Sequence, residues 1–257
     1  PLEDEKLPVT DHLEELRWRL IKCLIAVAAG FSLSYAFVQP VFNFFVSPLV
    51  KVMPPGSRLI YTSLPEAFIT NLKLAFFAGL ILALPVIFYQ LWKFVMPGLY
   101  ERERRYVIPF VLVATAFFIL GVSFAFFVVF PFGFRFFLGY SSESISAFPT
   151  LKEYLSFATT LLLAFGVIFE LPVVIFFLAK IGIVNHAMLR RQRKYAVLII
   201  AIVSAVITPP DVISMLFMMV PLLVLYEISI WVAYFVRKGK TAEQPVEEED
   251  ALSGESE

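Results

Sequence analysis

The chain has 257 residues, 60% of them hydrophobic and 16% charged, with a mean hydropathy of +0.83. Soluble domains run at about 45–50% apolar and about 25% charged, so the composition excludes an ordinary soluble domain and is that of an integral membrane protein. Lys plus Arg and Asp plus Glu balance at 21 each, so net charge predicts no affinity for nucleic acid or other polyanions.

The opening "PLEDEKLPVTDHLEELRWRL" is charged and reads as having no short cleavable hydrophobic leader. Within it, Asp11–Leu20 puts Leu13, Leu16 and Leu20 on one helical face, with Asp11 and Glu14 spaced as a capping box and Glu15 and Arg19 as an i,i+4 pair. That pattern predicts an interfacial helix over about 10–20 leading into the first span. Apolar runs long enough for a bilayer then follow at Leu20–Val38, Leu74–Trp92, Val107–Phe134 and Tyr154–Ala179. Two further runs, Tyr195–Pro210 of only 16 residues and Val212–Val236, flank "TPPD". Six spans is the simplest count, and a re-entrant hairpin is the alternative for the last two. Pro85, Pro109, Pro131, Pro172 and Pro221 predict kinks or breaks whose freed carbonyls need other partners.

Small residues recur every fourth position at Ala26, Gly30 and Ser34 and again at Ala75, Gly79 and Ala83. They predict either seams of close helix approach or the chance product of an alanine-rich composition. Between spans, the proline-rich Gln39–Phe68 is too apolar for a free linker and reads as a cap folded on helix ends; Phe130–Glu153 is a second such loop. Residues 1–236 are expected to form one six-span domain, and the acidic 237–257 a disordered tail.

Basic residues cluster at 6–22, 93–105, 180–194 and 237–240, leaving only Lys51, Arg58, Lys73, Arg135 and Lys152 on the other face. The positive-inside rule therefore puts both termini in the cytoplasm. Chemistry-bearing sets are few. Cys23 is the only cysteine, and His12 and His186 have no ligand spacing, so neither metal nor cofactor is expected. "GKT" at Gly239–Thr241 lacks the upstream glycine of a phosphate loop, and no activated nucleophile is evident, so an enzyme is not expected.

Two features ask for more than anchoring. "FVMPGLYERERRYV" (Phe94–Val107) sets Glu101 and Glu103 among three arginines, a pattern able to hold a cationic ligand. Glu170 stands alone in "LAFGVIFELPVVIFFLAK", near mid-span, where an ionised group costs about 2.5–3.5 kcal/mol unless it faces protein or water. It reads either as a functional group or as a protonated structural carboxylate.

Taken in order, "HLEELRWRL", "FVMPGLYERERR", "FELP", "TPPD" and "LLVLYEISI" resemble TatC, the multispanning receptor family of the twin-arginine protein translocase, over about Val9–Val236. The resemblance implies an all-α, six-helix, glove-like concave bundle with both termini cytoplasmic and short last helices. It implies residence in the bacterial inner membrane, and twin-arginine signal peptides of folded cargo, TatA, TatB and other TatC copies as partners. By the same resemblance, Glu15 and Glu103 would bind the paired arginines. Leu13, Arg17, Phe94, Pro97, Leu99, Tyr100 and Arg105 would shape that site, with Arg17 expected to fix a carboxylate. The doubled "ERER" leaves open whether Glu101 shares the role of Glu103. Glu170 would meet a partner helix, Pro48 and Asp211 would act on the far side, and energy would come from the proton gradient. Competing readings are a proton- or cation-coupled transporter relaying through Glu170 and Asp211, and a purely structural scaffold.

Overall fold

A computed structural model describes residues 9–54, 59–95, 107–139, 149–208 and 211–243. They form ten α-helices: α1 Val9–Ala36, α2 Val38–Val50, α3 Glu66–Val95, α4 Val107–Phe124, α5 Phe130–Leu138, α6 Leu151–Phe169, α7 Leu171–Lys180, α8 His186–Arg191, α9 Arg193–Ile207 and α10 Val212–Glu243. Among the described residues the only extended pairing is one isolated parallel bridge, Ile60 with Thr150. The all-helical class follows from bilayer physics, in which each backbone polar group must be satisfied within its own segment.

Five stretches are long and apolar enough to cross a membrane: Leu13–Ala36, Glu66–Phe94, Val107–Leu138, Leu151–Lys180 and Val212–Val236. The remaining run, α9, has 15 residues, about 22 Å of helix. The expected interfacial segment and first span are one uninterrupted 28-residue helix, α1. The chain forms two compact units, Pro1–Leu163 and Ala164–Glu257, with α6 running from the first into the second.

In the first unit, α1 lies antiparallel along α3. Gly30 and Gly79 are both buried, and a Cβ on Gly30 would collide with the Gly79 carbonyl oxygen, while one on Gly79 would collide with the Phe31 nitrogen. Ser34, Ala75 and Ala83 are buried on the same two helices. The small-residue spacing is thus a packing seam, because only hydrogen side chains admit such backbone contact.

Beyond α1 the chain builds a cap. Helix α2 buries Phe45, Val46, Pro48 and Leu49, while Gln39, Asn43, Ser47 and Lys51, each one turn on, line an open cleft of about 780 Å³. Its Phe44 ring stacks on Phe126 at 4.7 Å. There α4 passes into α5 through a π-turn, Ala125–Val129, where the Phe130 N–H donates to the Ala125 carbonyl. Pro131 supplies no N–H to the preceding turn, and the wider turn accommodates its ring. Pro85 and Pro221, by contrast, are carried inside continuous helices.

In the second unit α10 packs on α7, α9 and α8, burying a stripe of Met218, Leu222, Leu225, Ser229 and Ala233. The Tyr226 hydroxyl donates to the Leu189 carbonyl at 2.8 Å, and Arg193 pairs with Glu227 at 2.6 Å, tying the start of α9 to the middle of α10.

Candidate functional site

Glu15 and Arg19 stand one turn apart on α1 and form an ion pair. Arg19 is buried, 8% exposed, and its other guanidinium nitrogen, Nη1, donates to the Gln90 carbonyl of α3 at 3.4 Å. One guanidinium therefore spans two helices and fixes the Glu15 carboxylate, which keeps 34% of its side chain exposed. Arg17 was expected to fix a carboxylate, with no particular one named. In the structure it is exposed, because residues 15 and 19 share a helical face and residue 17 points to the other side.

Around Glu15 the surface of α1 is apolar yet exposed, with Leu13, Leu16, Trp18 and Leu20 all open. Phe94 lies one turn beyond Gln90 in the last turn of α3, half-buried. The first motif and the start of the second thus share one end of the α1–α3 pair. The Trp92 ring stacks on Phe110 at 3.8 Å, joining the end of α3 to α4 on either side of the intervening segment. Pro97, Leu99, Tyr100, Glu101, Glu103 and Arg105 lie outside the described residues.

Glu170 sits, half-buried, at a break between α6 and α7. Its N–H turns back to the Val167 carbonyl at 3.1 Å, and its own carbonyl receives the Val174 N–H at 2.8 Å. Pro172 is the cause: it has no N–H for the Ile168 carbonyl, so the long apolar run is two helices with the carboxylate at the joint. Pro48 is buried in the last turn of α2. Asp211 caps α10, its Oδ1 receiving the Ser214 N–H at 2.7 Å.

Several polar contacts were not anticipated. The grip of Arg19 on α3 needed the helix pairing to be known. Glu66 carries a signal that was readable: "SLPE" (Ser63–Glu66) is a capping box, as is "TLKE" (Thr150–Glu153) at the start of α6. Among the described residues no group of three or more His, Cys, Asp or Glu is arranged to hold a metal ion.

Comparison with known proteins agrees with this picture. Residues 11–221 match the family model for TatC, Sec-independent protein translocase protein. The Sec-independent protein translocase protein TatC of Desulforapulum autotrophicum is 50% identical over 242 residues, covering 94% of this chain and 90% of that one. The TatC protein of Escherichia coli K12 is 39% identical, covering 94% of each. A crystal structure of the twin-arginine translocase receptor TatC superposes with a TM-score of 0.79 at 37% identity, covering 88% of this chain and 99% of that one. With the motifs in order and the helices matching a solved relative, the chain belongs to the TatC family of Sec-independent protein translocase proteins.

Proposed function

We propose that this chain is the signal-peptide receptor and core subunit of a twin-arginine translocase. It resides in the bacterial cytoplasmic membrane with both termini in the cytoplasm and carries no catalytic chemistry of its own. Glu15 and Glu103 receive the two guanidiniums of the signal, with Leu13 and Phe94 beside them. Pro97, Leu99, Tyr100 and Arg105 complete the surface. TatA- and TatB-type partners and further copies of the chain then carry folded cargo across, driven by the proton gradient, with Glu170 offering a polar contact to a partner helix.

One observation carries the reading: the part-exposed Glu15 carboxylate, held by a buried arginine, lies among exposed leucines and a tryptophan. A carboxylate pre-oriented in this way gives a charge-assisted bond without paying again for its own ordering. An apolar surround suits a ligand whose cations are followed by an apolar stretch. A relay through Glu170 and Asp211 has no such support, since Asp211 already serves as a helix cap.

The test is site-specific crosslinking of a twin-arginine peptide to membranes containing the chain. Glu15→Ala with Glu103→Ala abolishes the crosslink, and crosslinking at wild-type level would refute the receptor assignment. Glu170→Gln leaves the crosslink in place and lowers export.

A further inference from the structure

The cap is organised around a carboxylate that the receptor reading does not use. Glu66, the first residue of α3, is 4% exposed. Its Oε2 accepts hydrogen bonds from the Thr62 N–H at 2.8 Å, the Thr62 hydroxyl at 3.1 Å and the Ser63 N–H at 3.3 Å. These three are local and supply the carboxylate half of a capping box, while the Glu66 N–H goes to the Ser63 carbonyl at 3.0 Å. The fourth is not: Oε1 accepts the Lys152 N–H at 3.0 Å, across 86 residues of sequence, in the first turn of α6.

Beside it the two cap segments bond directly, Ile60 N–H to the Pro149 carbonyl at 3.3 Å and Leu151 N–H to the Ile60 carbonyl at 2.8 Å. Two residues past Lys152, the Tyr154 hydroxyl donates to the Phe45 carbonyl at 2.6 Å, and its ring meets the Phe45 ring edge-on at 5.7 Å. Phe45 is on α2, one turn before the buried Pro48 and Leu49. A continuous chain of contacts therefore runs from Glu66 through the start of α6 to the turn of α2 that holds Pro48.

We propose that Glu66 is a positioning residue for export: it sets the start of α6, and through Tyr154 the Phe45–Pro48 turn of α2, in a cap that stays closed while cargo crosses. The inference rests on the translocase reading. The site demands a carboxylate because all four partners are donors and an ionised carboxylate is acceptor-only. Glutamine has one acceptor oxygen. Turned toward Thr62 and Ser63 it keeps the capping box, and its amide then faces the Lys152 N–H, donor against donor. Glu66→Gln thus removes the cross-cap bond while sparing the local one.

The experiment uses the full chain in cells lacking their own TatC, reading export of a folded reporter with a twin-arginine signal alongside peptide crosslinking. If the unaltered chain neither exports nor crosslinks, the translocase reading fails, and that result is separate from any effect at Glu66. Given export by the unaltered chain, Glu66→Gln lowers it by about tenfold with crosslinking unchanged. Bridge partners lie within disulfide range, so adding Ile60→Cys and Thr150→Cys restores export under oxidation and loses it on reduction, with the same pair in a chain that keeps Glu66 as the control for the lost Thr150 cap of α6. A merely destabilised chain would lose crosslinking as well. Undiminished export by Glu66→Gln, or no rescue by the disulfide, overturns the proposal. Where Glu66→Gln fails to accumulate, the cysteine pair alone decides: export sustained under oxidation supports a closed cap, and blocked export overturns it.

Discussion

The two ends of the α1–α3 pair each hold a glutamate, and the two are used in opposite ways. Glu66 is almost fully buried and meets four donors, so its bonding capacity is spent inside the fold. Glu15 is 34% exposed, and it is held by a guanidinium that itself leans on a backbone carbonyl. The same functional group is enclosed at one end and part-exposed beside a buried arginine at the other, and the exposed one is the acceptor proposed for the signal peptide. Burial, not residue type, sets that difference.

That contrast is open to direct attack. The largest effect is expected at the seam joining the two ends. Gly79→Leu drives a side chain into the backbone of α1 where nothing flexible can yield, so little folded protein should be recovered from membranes; overpacking costs about 1–3 kcal/mol even where neighbours can shift. Normal recovery would mean that the seam does not fix the register of Arg19 against Gln90. Next, Glu66→Ala and Glu15→Ala should separate cleanly. The first lowers the thermal midpoint in detergent while folded protein still binds the signal peptide, whereas the second loses signal-peptide binding and also lowers the midpoint, because it leaves buried Arg19 a partner short. Equal peptide binding by the two folded variants would erase the distinction.

Smaller effects sharpen it. Arg19→Lys keeps the charge but loses the fork that reaches Glu15 and Gln90 together, so peptide affinity should fall by up to about tenfold in a binding titration. In the cap, Tyr154→Phe keeps the aromatic packing and removes one buried bond, for a loss of about 1 kcal/mol by thermal unfolding. Least of all is expected from Arg193→Ala. Both members of the Arg193–Glu227 pair are close to half exposed, so stability should change by about 0–1 kcal/mol.

Legibility from sequence followed the range of the interaction. The break at Glu170 was readable because Pro172 acts on its own helix, and the seam because a four-residue period is a local pattern. The pairing of Glu15 with Arg19 was also readable, because an i,i+4 spacing is local to one helix. The fastening at Glu66 was half readable: "SLPE" announces a helix start, but nothing local pairs it with the start of α6.

What the sequence by itself determined is the solvent the protein lives in, the helical class that solvent enforces and the family, since hydropathy, proline placement and ordered motifs are properties of the chain alone. What only the tertiary structure decided is which carboxylate is enclosed by donors and which stays part-exposed beside a buried arginine. That depends on the Lys152 N–H, brought from the start of α6 across 86 residues, and on the Gln90 carbonyl that steadies Arg19, and no local spacing encodes their arrival.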